Sequence, residues 1–222
     1  MKYFTDVHAG LASYFAGQDI DAIMKDPVVC QAYLVRSATH LAGPGRASSP
    51  TSYGTSTYCE IHLMPASALT DAQRCCTVVG ERFDELSDHR YVASEYAGIL
   101  LDRLGRRNAG WRFHSAPSWF VQGYEEYLAL TLSNDHSRTI TFDKYKDLLR
   151  KNPERIGWLS VTNDYTDGAV LVHFFHQEFG SAKIKAVLLS KEKTFHAALK
   201  TELGLTPEQL STRWTAWRKK NL

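Results

Sequence analysis

The spacing of apolar residues divides the chain into a short N-terminal region of mixed patterns and a longer region of helical patterns. Within the first 26 residues, apolar side chains recur at helical spacing, and Pro27 blocks continuation of that helix. Residues 28–35 are rich in β-branched and aromatic side chains, which predicts a strand. Residues 58–64 alternate in polarity before Pro65, which predicts a second strand at the edge of a sheet.

The segment between these strands predicts a loop. Residues 43–56 contain Gly43, Pro44, Gly45, Pro50 and other residues that interrupt regular structure. This loop could gate a substrate site or simply connect two elements, and the sequence favours neither interpretation.

From residue 70 onward the pattern is helical. Helices are predicted, in chain order, over residues 70–86, 91–104, 118–132, 164–179, 182–189, 193–203 and 207–219. A small N-terminal sheet followed by a mostly helical C-terminal half predicts an α+β fold. We expect a single domain, residues 1–222, with a sheet-containing lobe over residues 1–88, a helical lobe over residues 89–222 and a cleft between them.

Charge and composition argue against two classes of partner. The chain has 26 Lys and Arg residues and 24 Asp and Glu residues, so its formal charge is +2. This balance predicts neither a nucleic-acid-binding nor a membrane-surface protein. The start of the chain lacks the apolar stretch of a signal peptide. We therefore expect either a cytoplasmic protein or one that is secreted or periplasmic after removal of a leader, and the sequence slightly favours a secreted or periplasmic location.

The four cysteines leave the compartment and the disulfide state open. Cys75 and Cys76 are adjacent, and adjacent cysteines rarely bridge each other because the geometry is strained. Cys30 and Cys59 lie near the predicted strands and could pair or simply pack. No two of the four have the C-x-x-C spacing of a structural zinc site.

Three segments carry a resemblance to a known family. They are YVASEYAGIL at residues 91–100, APSWFVQGYEEY at residues 116–127 and YTDGAVLVHFF at residues 165–175. In this order they resemble the metal-binding helix, the second site helix and the closing helix of the peptidase MA-like, or gluzincin (thermolysin-type), metallopeptidases. The second segment is the most specific, because the family usually has Pro-x-Trp-(Leu/Phe)-x-Glu-Gly-x-Ala-Glu-Tyr there. The likeness covers the chain from about residue 57 onward and implies a thermolysin-like fold.

The resemblance also implies that the zinc site is degenerate. In the parent motif His-Glu-x-x-His, two histidines one helical turn apart bind zinc and the glutamate polarises a water, while a glutamate on the next helix is the third ligand. Here Ser94 and Gly98 occupy the histidine positions, Gln122 occupies the third-ligand position, and Glu95 keeps the general-base position. A hydroxyl, a missing side chain and a neutral amide cannot replace two imidazoles and a carboxylate. We therefore expect no metal, no cofactor and no zinc peptidase activity.

Other histidines offer a different metal site. His89, His114, His173 and His176 could lie near the cleft, and the last two share one face of a helix. We favour the simpler interpretation that these are amphipathic histidines, with one side of the ring against apolar residues and its polar end in contact with solvent.

The surviving glutamate suggests acid–base chemistry without a metal. The resemblance brings Glu95, Gln122 and Glu126 to one cleft, where Glu95 could act as general acid or base and Gln122 could orient a water or a carbonyl. Tyr165 could donate a hydrogen bond to an oxyanion. Two facing carboxylates, Glu95 with Glu126 or Glu125, would suit metal-free glycoside hydrolysis.

Glu95 could instead be a buried structural carboxylate that is hydrogen-bonded to Ser94, Gln122 or a tyrosine. Around it, the candidate binding residues of the cleft are Tyr91, Ser94, Tyr124 and Glu125.

The sequence leaves two candidate functions for this protein. The favoured one is a catalytically inactive zinc-peptidase-like protein, a pseudopeptidase, that binds a peptide, a glycan or a small molecule in the ancestral cleft. The alternative is a metal-independent enzyme, of glycoside hydrolase or cyclase/lyase type, that uses Glu95 as its general acid or base.

Overall fold

The structure, a computed structural model, describes two compact units. It describes the backbone of residues 2–25, 31–34, 54–56, 60–63, 85–108, 110–132, 142–152 and 164–222, and the side chains of most of these residues. Unit 1 comprises Met1–Leu100 and Leu128–Ile140, and unit 2 comprises Leu101–Tyr127 and Thr141–Leu222. The predicted lobes, residues 1–88 and 89–222, and the cleft between them stay predictions.

Unit 1 begins with helices. Its elements in chain order are α1 (Lys2–Tyr14), α2 (Ile20–Lys25), β1 (Gln31–Leu34), β2 (Gly54–Ser56), β3 (Glu60–Leu63) and most of the long helix α3 (Glu85–Asn108). The single helix predicted over the first 26 residues is wrong, because α1 ends at Tyr14 and α2 begins only at Ile20. The burial of Leu11, Phe15, Ile20 and Ile23 nevertheless agrees with their apolar spacing.

The three strands form a small mixed sheet in the order β1-β3-β2. β1 pairs with β3 in parallel and β2 pairs with β3 antiparallel, so β3 is the central strand. The prediction that the strand within residues 58–64 lies at the sheet edge is therefore wrong. The predicted loop over residues 43–56 is also wrong at its end, where Thr55 pairs with His62, while residues 43–53 lie outside the described part of the chain.

The predicted fold class, an α+β fold of the thermolysin-like type with a small N-terminal sheet, is wrong, because the described chain is mostly helical. The chain starts with α1 and α2 rather than with a sheet, and its described strands are only three or four residues long. The remaining residues of the strand patterns at residues 28–35 and 58–64 lie outside the described part of the chain.

Unit 2 is built from helices alone in its described residues. After the end of α3 come a short 3-10 turn (Phe113–Ser115), α4 (Ser118–Leu132), α5 (Phe142–Lys151), α6 (Thr166–Phe179), α7 (Ser181–Leu189), α8 (Phe195–Leu203) and α9 (Pro207–Asn221). The end of α4, from Leu128 onward, belongs to unit 1. All of these except the 3-10 turn and α5 were predicted within a few residues, and α4 has the predicted bounds. Of the helix predicted over residues 70–86, residues 70–84 lie outside the described chain.

The ends of these helices follow from local chemistry. Gly180 and Gly204 have φ values of 79° and 69°, which other residues rarely adopt, and they end α6 and α8. Thr206 and Gln209 form a reciprocal capping box at the start of α9.

Helices α4 and α6 cross with their backbones in contact at two glycines. A Cβ added to Gly123 would lie 2.6 Å from the Cα of Gly168, and a Cβ added to Gly168 would collide with the carbonyl oxygen of Trp119. Because no side chain separates the helices at this point, the crossing requires glycine on both of them.

None of the helices in the described residues is long and apolar enough to cross a membrane.

Candidate functional site

The first motif segment lies on α3, as the resemblance requires. Ser94 and Gly98 are buried one helical turn apart in unit 1. Glu95 and Tyr91 have described backbones within α3, but their side chains lie outside the described set. The acid or base role of Glu95 therefore stays a prediction.

The second motif segment lies on α4, and its candidate residues differ in exposure. Gln122 is half-buried, whereas Tyr124, Glu125 and Glu126 are buried. Tyr124 packs edge to face with Phe113, with ring centroids 6.5 Å apart. Tyr124 is thus a core residue of unit 2.

Glu126 is held by a hydrogen bond inside unit 2. Tyr145 of α5 donates its hydroxyl to Oε1 of Glu126. The tyrosine is fully buried and the glutamate is 1% exposed. A carboxylate removed from water needs such a donor, because an unpaired buried polar group costs a few kcal/mol. The geometry supports a structural role for Glu126 in joining α4 to α5.

Tyr145 was missed by the sequence analysis, together with the rest of α5. A signal for it exists in the sequence, because Phe142, Tyr145 and Leu149 recur at helical spacing among charged residues. Tyr145 and Leu149 are indeed the buried residues of that helix.

Tyr165 immediately precedes α6 and, unlike the buried Tyr145, is exposed. It is the exposed large apolar residue of the described chain, with 48% of its surface accessible. An aromatic ring with a hydroxyl at its tip suits contact with a ligand, since it combines apolar area with a hydrogen-bonding group. The donation of a hydrogen bond from the hydroxyl of Tyr165 to an oxyanion stays a prediction.

The two histidines of α6 are packed among aromatic rings. His176 stacks on Tyr127 and His173 stacks on Phe142, with centroid distances of 4.3 Å and 4.6 Å. Nδ1 of His176 lies 3.1 Å from Oγ of Ser181. The half-buried His173 agrees with the amphipathic interpretation, whereas His176 is 8% exposed and lacks the solvated end that this interpretation requires.

Burial lowers the pKa of both imidazoles and so favours their neutral form. Desolvation, followed by the charges of His173 and Lys185, lowers the pKa of His176 to about 3. Desolvation and Lys146 lower the pKa of His173, and Asp143 opposes them. The side chains of His89 and His114 lie outside the described set.

Within the part of the chain that the structure describes, no group of three or more His, Cys, Asp or Glu side chains is arranged to hold a metal ion.

The predicted site residues are distributed over both units. Ser94 and Glu95 belong to unit 1, whereas Gln122, Glu126 and Tyr165 belong to unit 2. Their convergence on one cleft stays a prediction.

Comparisons with protein-family models, with curated proteins and with solved structures found no match. The likeness to gluzincin peptidases therefore rests on the three motif segments.

Proposed function

We propose that this protein is a non-catalytic, peptidase-like binding protein in which the former zinc site no longer holds a metal. Its ligand would be a peptide, a glycan or a small molecule that contacts the half-buried and exposed residues of the old substrate cleft, Gln122 and Tyr165 among them.

The observation that carries the proposal is the chemistry of the three former ligand positions. Ser94, Gly98 and Gln122 offer zinc a hydroxyl, no side chain and a neutral amide. Zinc sites in proteins use imidazole, thiolate or carboxylate ligands, and a full set binds the ion by about 10–16 kcal/mol. A serine, a glycine and a glutamine cannot supply comparable affinity.

The surroundings of Glu126 support the same proposal. A catalytic carboxylate must reach its substrate, yet Glu126 is 1% exposed and accepts the hydroxyl hydrogen of Tyr145. Of the two carboxylates that could pair with Glu95 in a glycosidase-type mechanism, Glu126 is therefore committed to packing.

The test compares the natural chain with a variant in which the ligand set is restored. Zinc chloride is titrated by calorimetry into the natural chain and into the triple variant Ser94→His, Gly98→His, Gln122→Glu, and both are assayed with fluorogenic peptides. We expect no stoichiometric zinc binding by the natural chain and zinc binding by the variant, because the resemblance implies that these three restored ligands would complete a site.

The outcomes of this test distinguish the proposed binding protein from an active zinc peptidase and from a metal-independent enzyme. Tight stoichiometric zinc binding together with peptide cleavage by the natural chain would overturn the proposal. A folded triple variant without zinc affinity would show that the two helices lack the parental arrangement, which would remove the resemblance. Chelator-resistant activity that is lost in Glu95→Gln would favour the metal-independent enzyme instead.

A further inference from the structure

Three polar side chains of unit 1 form a continuous hydrogen-bonded chain. Nε2 of His8 lies 2.9 Å from Oδ1 of Asp21, and Nδ1 of His8 lies 2.9 Å from the hydroxyl of Tyr96. The three residues come from α1, α2 and α3, so the chain of contacts joins three separate helices.

The chemistry of the end groups sets the direction of proton donation. The carboxylate of Asp21 can only accept, so Nε2 of His8 carries a hydrogen and donates it. Nδ1 of the neutral ring then has its lone pair free to accept from the hydroxyl of Tyr96. The order carboxylate, imidazole, hydroxyl is the order in which an adjacent base activates a nucleophilic oxygen.

Accessibility fits a reactive group better than a core contact. Tyr96 is half-buried, and the side chains of His8 and Asp21 are 26% and 71% exposed. The imidazole is also held edge to face against the tyrosine ring, with centroids 6.1 Å apart, so the donor and acceptor stay aligned. Tyr96 is thus not enclosed in the core, and its proton acceptor is already in place.

We propose that Tyr96 is an activated hydroxyl that accepts acyl groups from activated esters, with His8 as its general base and Asp21 as a positioning residue. The tyrosine oxygen attacks the ester carbonyl carbon and forms a new C–O bond, while its proton passes to Nδ1 of His8. The ester C–O bond breaks and the alcohol portion leaves with that bonding electron pair. The carboxylate of Asp21 stabilises the imidazolium that forms.

The experiment uses p-nitrophenyl acetate as the probe on the full chain and measures acetylation of each tyrosine by mass spectrometry. Tyr165 is the internal reference, because it is 48% exposed and belongs to the other unit. We expect Tyr96 to acetylate about tenfold faster than Tyr165 despite its smaller exposure, since a positioned base accelerates such steps by factors of this size or more.

Two variants test whether His8 and Asp21 activate the hydroxyl of Tyr96. His8→Phe keeps a ring against Tyr96 but removes the base, and we expect the Tyr96 rate to fall to that of Tyr165 or below. Asp21→Asn removes only an exposed charge and should reduce the Tyr96 rate severalfold, with the Tyr165 rate unchanged.

The proposal is overturned if Tyr96 reacts no faster than Tyr165, or if its rate is the same in both variants as in the natural chain. Circular dichroism verifies that each variant is folded. If His8→Phe does not fold, the acetylation rate of Tyr96 in Asp21→Asn tests the proposal, because the side chain of Asp21 lies mostly in solvent.

Discussion

The rings of Tyr127 and His176 lie face to face, with their centroids 4.3 Å apart and their planes 6° from parallel. His176 is 8% exposed, and burial also raises the pKa of Tyr127. The pair joins α4 to α6 through two rings that are both uncharged at neutral pH. Because burial lowers the pKa of His176, the stability of unit 2 depends on pH.

The first prediction concerns acid sensitivity. The imidazole of His176 takes up a proton near its ordinary pKa of 6.5 when the chain is unfolded, but only near about 3 when it is folded. The unfolded state therefore binds more protons between these values, and the free energy of unfolding falls as the pH drops below 6.5 and levels off near 3.

The variant His176→Phe keeps the ring stack and removes the titration. Urea unfolding at about pH 7.5 and about pH 5 should show that the natural chain loses about 2 kcal/mol more stability than the variant. His196→Phe, at an exposed histidine, is the control for replacing an imidazole with a phenyl ring. Equal pH dependence in the natural chain and His176→Phe would contradict the prediction.

The second prediction concerns the hydrogen bond between Tyr145 and Glu126. Tyr145→Phe removes the hydroxyl and leaves Oε1 of Glu126 without this donor in a buried place. We expect the free energy of unfolding, from urea denaturation, to fall by about 1–3 kcal/mol. Tyr165→Phe removes a hydroxyl at an exposed position and should change stability by less than about 0.5 kcal/mol. Similar values for the two variants would argue against an anchoring role for Glu126.

The third prediction concerns the helix crossing. Alanine is normally the better helix former, so Gly123→Ala would stabilise an isolated helix by about 1 kcal/mol. Here the added methyl group collides with the backbone at Gly168, and we expect a net loss of about 3 kcal/mol or a failure to fold.

The matched comparison is Gly204→Ala, where the added Cβ meets no atom within 4 Å and only the backbone at φ 69° is strained. This variant should lose about 1–2 kcal/mol. A smaller loss for Gly123→Ala than for Gly204→Ala, measured by thermal or urea unfolding, would mean that α4 and α6 separate easily.

The fourth prediction follows from the proposed binding function and uses phage-displayed random peptides as the probe. Peptides that are enriched on the natural chain should bind Tyr165→Ala about tenfold more weakly, because an exposed aromatic ring is a typical binding hot spot. Tyr165→Phe keeps the ring and should retain most of the affinity. Peptides that bind all three proteins equally would exclude Tyr165 from the binding surface.

The helices of unit 2 could be predicted because their signals are local. A glycine at position 180 or 204 ends a helix wherever the surrounding chain lies, and Thr206 with Gln209 caps the next one through contacts three residues apart. Helix α5 was missed because most of its residues are charged and its apolar positions are few. Its amphipathic spacing is nevertheless present in the sequence.

The strands and the site depend on non-local contacts, which periodicity does not contain. Alternation at residues 58–64 predicted that β3 exists, but its central place depends on pairing with both Ala32 and Thr55. In the same way, the motif at residues 116–127 identified Glu126 as a candidate without revealing that a tyrosine 19 positions later would bind it. The sequence tells which face of a helix is buried, whereas the partner on that face is a property of the tertiary structure.

The glycine contact between α4 and α6 also restricts how unit 2 can move. Two backbones that touch without intervening side chains have no rotamers with which to absorb sliding or rotation. The two helices can shift only as a pair, so a ligand that immobilised the start of α6 at Tyr165 would immobilise α4 with it. Hydrogen exchange at the two helices should then slow in parallel when a ligand binds.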